Sequence, residues 1–185
     1  MKKTIICTLA IMMATTMHAQ GGVERLQVNE KSNLVTFTQV VENPSKDKTA
    51  LFSAVKTWIA TTYNSAKTVT DLADENTGKF ILKPIAILPL NATVSMECKY
   101  LLTIAVKDGK ARIVIDNIRC DNSLVDGKPI TGWGTPEEWK KGTSNGYKQK
   151  AAKLDNVANV VADHMEMLLR SFDNAIRSDA KDDEW

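Results

Sequence analysis

The sequence predicts an α+β fold in which a strand, a helix, four further strands and a long closing helix follow one another along the chain. Three observations predict it. The run 93–106 alternates apolar and polar residues with a period of two. The runs at about 46–63 and 148–178 repeat apolar residues at helical spacing, and turn residues cut the remainder into short pieces rich in β-branched types.

The first nineteen residues stand apart from that fold. Lys2 and Lys3 form a positive start, Ile5 to Ala14 an apolar run, and Met17-His18-Ala19 a small-residue cleavage site before Gln20, which together read as a secretory signal peptide over 1–19. The product is expected to be exported, periplasmic or secreted, after cleavage near Ala19. Residues 20–33 are polar, open with Gly21-Gly22 and show no period, so a flexible leader is expected there, with a single domain over 34–178.

The elements follow in order. Residues 34–41 (LVTFTQVV) read as a strand stopped by Glu42-Asn43-Pro44. Ser45 can cap the helix that follows, whose stripe is Leu51, Val55, Trp58, Ile59 and Thr62. Strands are expected at about 67–73, 79–88, 93–106 and 110–120. The third is the clearest, with Val94, Met96, Cys98, Tyr100, Leu102, Ile104 and Val106 on one face. Asp108-Gly109 suits a two-residue type I′ turn between the last two strands. Residues 121–147 are rich in glycine and lack a sustained period. Within them, Thr135-Pro136-Glu137-Glu138 carries the signature of a capping box opening a one-turn helix with Trp139. The closing helix has Leu154, Val157, Val161, Met165, Leu168, Phe172 and Ile176 on one stripe, and an acidic tail occupies 179–185.

Composition narrows the function. The chain has 24 Lys and Arg against 22 Asp and Glu, and loss of Lys2 and Lys3 with the signal leaves it balanced. A neutral chain without a basic block lacks the footprint that phosphate recognition requires, so nucleic acid is not an expected partner. No apolar run after residue 19 approaches the roughly 20 residues of a spanning helix.

Catalytic motifs are missing. There is no Gly-x-Ser-x-Gly elbow, no His-Glu-x-x-His helix and no phosphate-binding glycine loop. His164 is the one histidine after residue 18, and beside an apolar stripe it reads first as a packed or rim residue. The carboxylates Asp71, Asp74, Glu75, Asp182, Asp183 and Glu184 read as solvated turn and tail charges. One histidine and two cysteines do not make a zinc set, so no catalytic, cofactor or metal residue is assigned. Trp133 and Trp139 lie in the long loop, where they either cap the core or meet a ligand or partner.

Cys98 and Cys120 are the cysteines left after Cys7 departs with the signal. The turn at Asp108-Gly109 pairs Ile104 with Ile113 and Leu102 with Ile115. Beyond Ile115 the apolar parity of the strand switches from odd to even positions, and one extra residue, a β-bulge, restores the match. Tyr100 then faces Ile118 and Cys98 faces Cys120, within reach of a disulfide in an oxidising compartment.

The runs Ser45-Lys46-Asp47, Leu51-Phe52, Val55-Lys56, Trp58-Ile59-Ala60, Tyr63, Ser65-Ala66-Lys67 and Gly78-Lys79-Phe80-Ile81, closed by the Val106 to Lys110 hairpin, resemble a family known as a domain of unknown function with a TBP-like fold, number 4468, found in exported proteins of Gram-negative bacteria. The resemblance covers about 34–120, with Lys83-Pro84 and Ala111 as departures. It implies a curved antiparallel sheet of about five strands covered on one face by two helices, and it implies no known activity.

The expected function is therefore a non-enzymatic binding or scaffolding module for an unknown protein or peptide. The alternative is a carrier holding a small apolar ligand between sheet and long helix, as in helix-grip folds, with 121–147 as a lid. An enzyme ranks third.

Overall fold

β1 (Phe37–Glu42) begins the chain's path through the sheet in a computed structural model that describes residues 21–178 apart from 126, 127 and 131. The expected signal peptide and acidic tail lie outside the described residues. After β1 come α1 (Lys48–Thr62), a single turn α2 (Ala66–Val69), β2 (Thr70–Asp74), β3 (Lys79–Leu82) and β4 (Ile85–Pro89). The long hairpin of β5 (Val94–Lys107) and β6 (Lys110–Val125) follows, then β7 (Lys128–Ile130), α3 (Pro136–Lys140), the small pair β8 (Thr143–Ser144) and β9 (Tyr147–Lys148), and finally α4 (Ala151–Arg177).

Among the described residues the strands build one antiparallel sheet of seven, ordered β1-β6-β5-β3-β2, with β4 also on β5 and β7 on β6. This is the expected α+β architecture. The strand expected over 79–88 is divided in two, and the reason is local. Lys79 pairs with Ala105 and Ile85 with Lys99, so both pieces keep one register on β5. Between them Pro84 has no N–H to give, and only its carbonyl accepts, from Tyr100 N at 3.4 Å.

Period two puts Met96, Cys98, Tyr100, Leu102, Ile104 and Val106 of β5 in the core with Ile113, Ile115, Ile118 and Cys120 of β6. Leu51, Phe52, Val55, Trp58 and Ile59 of α1, and Leu154, Val157, Val161, Met165, Leu168, Phe172 and Ile176 of α4, close over that face. Trp58 ties the helices together, donating from Nε1 to Ser171 Oγ at 3.0 Å and meeting Phe172 edge-on at 5.3 Å between centroids. The opposite face of the sheet carries no helix among the described residues.

Several local expectations are corrected. Asp47, not Ser45, caps α1: its carboxylate accepts from Ala50 N at 2.8 Å, while Ser45 turns to Asn43. In the β5–β6 turn only Gly109 has a positive φ, 73°, so the turn is not type I′, and Asp108 instead accepts from Lys48 N at 2.8 Å. Two consecutive left-handed residues do occur at Asn145 (φ 48°) and Gly146 (φ 81°), where they turn β8 into β9.

Of the segment 20–33, expected as a flexible leader, residues 21–26 are instead docked on α4, while Gln27–Asn33 are exposed. Leu26 is fully buried, and Arg25 donates to Asn159 Oδ1 at 3.0 Å, Asp163 Oδ1 at 2.8 Å and Glu166 Oε1 at 2.9 Å. Val23 N donates to Asp155 Oδ1 at 3.0 Å, and a Cβ on Gly22 would stand 2.1 Å from the Asp155 carbonyl oxygen. Gly22 is there because nothing larger lets the backbone lie against the helix.

Candidate functional site

The chemistry-bearing residues divide between the core and the helix-free face. His164, on α4, turns its ring onto Tyr100, with Nε2 at 3.4 Å from Tyr100 Oη and ring centroids 5.9 Å apart. Burial pushes its pKa below the ordinary histidine value, as expected for a ring with no carboxylate beside it to favour the charged form. Burial likewise raises Tyr63 to about 12 and raises Tyr100. Tyr63 Oη is enclosed without a hydrogen-bond partner. His164 and its neighbours thus form a packed polar knot between sheet and helices, with no carboxylate and no nucleophile aligned to it. Among the described residues no three His, Cys, Asp or Glu side chains gather as a metal site.

The cysteines meet as the parity of β6 requires. Leu101 pairs with Asp116 and Lys99 with Arg119, so the extra residue falls between these pairs, and Cys98 stands directly opposite Cys120. Asn117, in the bulge, takes φ 53°, a conformation asparagine tolerates better than other side chains. Both cysteines are buried and free. Contact with the Cys98 thiol and burial hold the Cys120 thiol well above the ordinary value. Cys120 gives its N–H to Gly134 O at 2.8 Å and accepts from Trp133 N at 2.7 Å, so its backbone bonds point away from β5.

The loop tryptophans are used by the core. Trp139 is 1% exposed and donates from Nε1 to the Trp133 carbonyl at 2.6 Å. That carbonyl also accepts from Ser144 Oγ at 2.8 Å. The capping box forms as expected, Glu138 Oε2 accepting from Thr135 N at 2.9 Å and Thr135 Oγ1 from Glu138 N at 3.4 Å. Residues 133–144 are pinned inward, and Trp139 presents nothing to a ligand.

Of the seven exposed large apolar side chains among the described residues, four lie on the helix-free face; Val28, Tyr147 and Met167 lie elsewhere. Val40 is 54% exposed, Leu72 39%, Ile85 58% and Ile87 57%. A hollow of about 280 Å3 between Val40, Ala105, Lys107, Lys110 and Arg112 lies at the hairpin end. A second, of about 380 Å3, opens beside Ile85 between Lys83, Pro84, Leu101 and Asn117. Around β4 the charges neutralise one another: Lys99 meets Glu97 at 2.9 Å, Arg119 meets Asp121 at 2.6 Å and Lys83 meets Asp71 at 2.9 Å.

Residues 37–121 match the family described as a domain of unknown function (DUF4468) with TBP-like fold. A crystal structure of a TBP-like protein from Parabacteroides distasonis is similar at a TM-score of 0.68 and 21% identity, over 82% of this chain and 97% of that one. A DUF4468 family protein from Bacteroides ovatus is similar at a TM-score of 0.63 and 13% identity, over 85% of this chain and 93% of that one. At these identities the likeness is one of fold. No curated protein matches the sequence.

Proposed function

We propose that this protein, a member through residues 37–121 of the family of unknown function with a TBP-like fold, works as an exported interaction module that binds another protein or a peptide through the helix-free side of its sheet. One observation carries the reading. The side chains between sheet and helices are spent on packing, whereas Val40, Leu72, Ile85 and Ile87 leave apolar surface uncovered on the other side. Apolar surface marks an interaction site where it is contiguous, and Ile85 and Ile87, alternate residues on one face of β4, form such a pair.

The carrier alternative draws no comparable support. Met96, Val161, Met165 and Phe172, the side chains between sheet and α4, are fully buried, and Trp139 is part of the core rather than a lid. A TBP-like fold supports no reading as a DNA binder either, since the wet face offers Glu97, Lys99, Arg112, Asp116 and Arg119 in mixed sign and no aromatic wedge.

Export belongs to the same proposal. It rests on the charged start, apolar run and small-residue site before Gln20. Lysine-directed cross-linking of the native protein tests the binding surface. Links from Lys83, Lys99, Lys107 or Lys110 to a second protein are expected. Native mass spectrometry revealing instead a small apolar molecule bound to the monomer would replace this reading with the carrier.

A further inference from the structure

Backbone pairing on β4 leaves one edge of the sheet open. Pro84 O accepts from Tyr100 N, and Leu90 N donates to Val94 O, so the even-numbered residues of this strand make the bonds to β5. The odd-numbered residues point the other way. The N–H and C=O groups of Ile85 and Ile87 therefore face outward, where no strand lies beside β4 among the described residues. Pro89 ends the run with no donor, and Lys83 N already donates to Val69 O at 2.8 Å.

The edges at β1 and β2 are guarded. Beside β1, Gln39 donates to Asp173 of α4 at 2.9 Å, which brings the helix against that margin. β2 carries Asp71 and Asp74, charges of the kind that blunt edge pairing. β4 carries no charge over Ile85 to Leu88, and Ile85 and Ile87 are both more than half exposed.

The geometry points to β4 as a strand-addition site: we propose that the edge from Ile85 to Leu88 binds an extended, neutral aliphatic segment of a partner protein. This rests on the interaction-module reading and names its surface. An extended backbone is the occupant whose donors and acceptors recur at the roughly 6.7 Å spacing of alternate strand residues. Aliphatic side chains at alternate positions would stack on Ile85 and Ile87, and the hollow beside Ile85 can take one of them. The occupant is neutral because Lys83, Lys99 and Arg119 nearby already have carboxylate partners.

The test uses the processed protein, labelled with 15N, and an acetylated, amidated heptapeptide alternating valine with threonine. In the free protein the amides of Ile85 and Ile87 should exchange with solvent faster than those of Ala86 and Leu88, and saturating peptide should slow them at least tenfold. Two versions of the peptide, N-methylated on the valines or on the threonines, probe the backbone without touching the protein: one should keep the protection and the other lose it. The variant Ile87→Pro, checked for an unchanged circular dichroism spectrum, should also lose it. Equal behaviour of the two methylated peptides, or no slowing, overturns the proposal. Protection of both amides without peptide, accompanied by concentration-dependent sedimentation, assigns the edge to a second copy and also overturns it. Shifts confined to Val40 and Arg112 remove the β4 site but leave the interaction-module reading standing, whereas absence of any cross-linked protein partner counts against that reading itself.

Discussion

His164 offers a pH-dependent measurement at the scale of one residue. Burial favours its neutral ring, so on acidification the unfolded chain takes the proton before the folded one does. Stability is therefore full above the ordinary histidine value of 6.5 and is lost as pH falls from there toward the depressed folded value. His164→Gln keeps a polar group near Tyr100 without the titration, and its denaturant midpoint should vary less between about pH 7 and pH 5.5 than that of the natural protein. Asp116, raised by burial, contributes in the opposite sense. Cys98 and Cys120 give the second residue-level prediction. With the backbone of Cys120 turned toward Gly134, the two form a non-hydrogen-bonded pair, whose Cα atoms stand about 4.5 Å apart, inside the disulfide range. Under the proposed export, exchange with a disulfide of the oxidising compartment should join them, that disulfide leaving as two thiols. Alkylation under denaturing conditions without reductant, read by intact mass, should label neither; labelling of both means the pair stays reduced.

At the scale of elements, the docked segment 21–26 was the least legible part of the chain. It has no period, and two adjacent glycines read as freedom, whereas Gly22 serves close approach to α4. Gly22→Ala would put a methyl into the Asp155 carbonyl, and the expected cost is about 1 to 3 kcal/mol, measured by urea denaturation. A midpoint equal to that of the natural protein would mean the segment does not hold the helix. The capping box at Thr135 and Glu138 was legible because its three-residue spacing is a local signal. The turn at Asn145-Gly146 was also readable in principle, since that dipeptide is the strongest short hairpin signal, but the glycine-rich stretch around it hides the two-residue strands it joins.

On the scale of the whole molecule, Trp58 couples the two helices to each other and to the core. Trp58→Ala should cost about 3 to 5 kcal/mol in stability, because it removes a large buried side chain together with its bond to Ser171. An unchanged denaturant midpoint would show that the helix pair is held elsewhere. Among the described residues the sheet beneath is covered on one face only. That asymmetry directs attention to Val40, Leu72, Ile85 and Ile87, and to the β4 edge, rather than to the tryptophans of the long loop. The fold family adds architecture without chemistry, so the assignment of a partner rests on these surfaces.

What the sequence determined by itself was whatever depends on spacing along the chain. The period of two in β5, the stripes of α1 and α4 and the parity switch after Ile115 are local patterns with one sterically sensible reading, and together they specify the sheet, its bulge and the meeting of Cys98 with Cys120. Tertiary structure decided the rest. Whether Trp139 faces in or out, whether Gly22 is loose or pressed on a helix, and which strand is left with an open edge depend on residues more than a hundred positions apart or on the absence of a neighbour. A one-dimensional pattern does not record either, because side-chain burial and edge exposure are set by what packs against an element, not by the element alone.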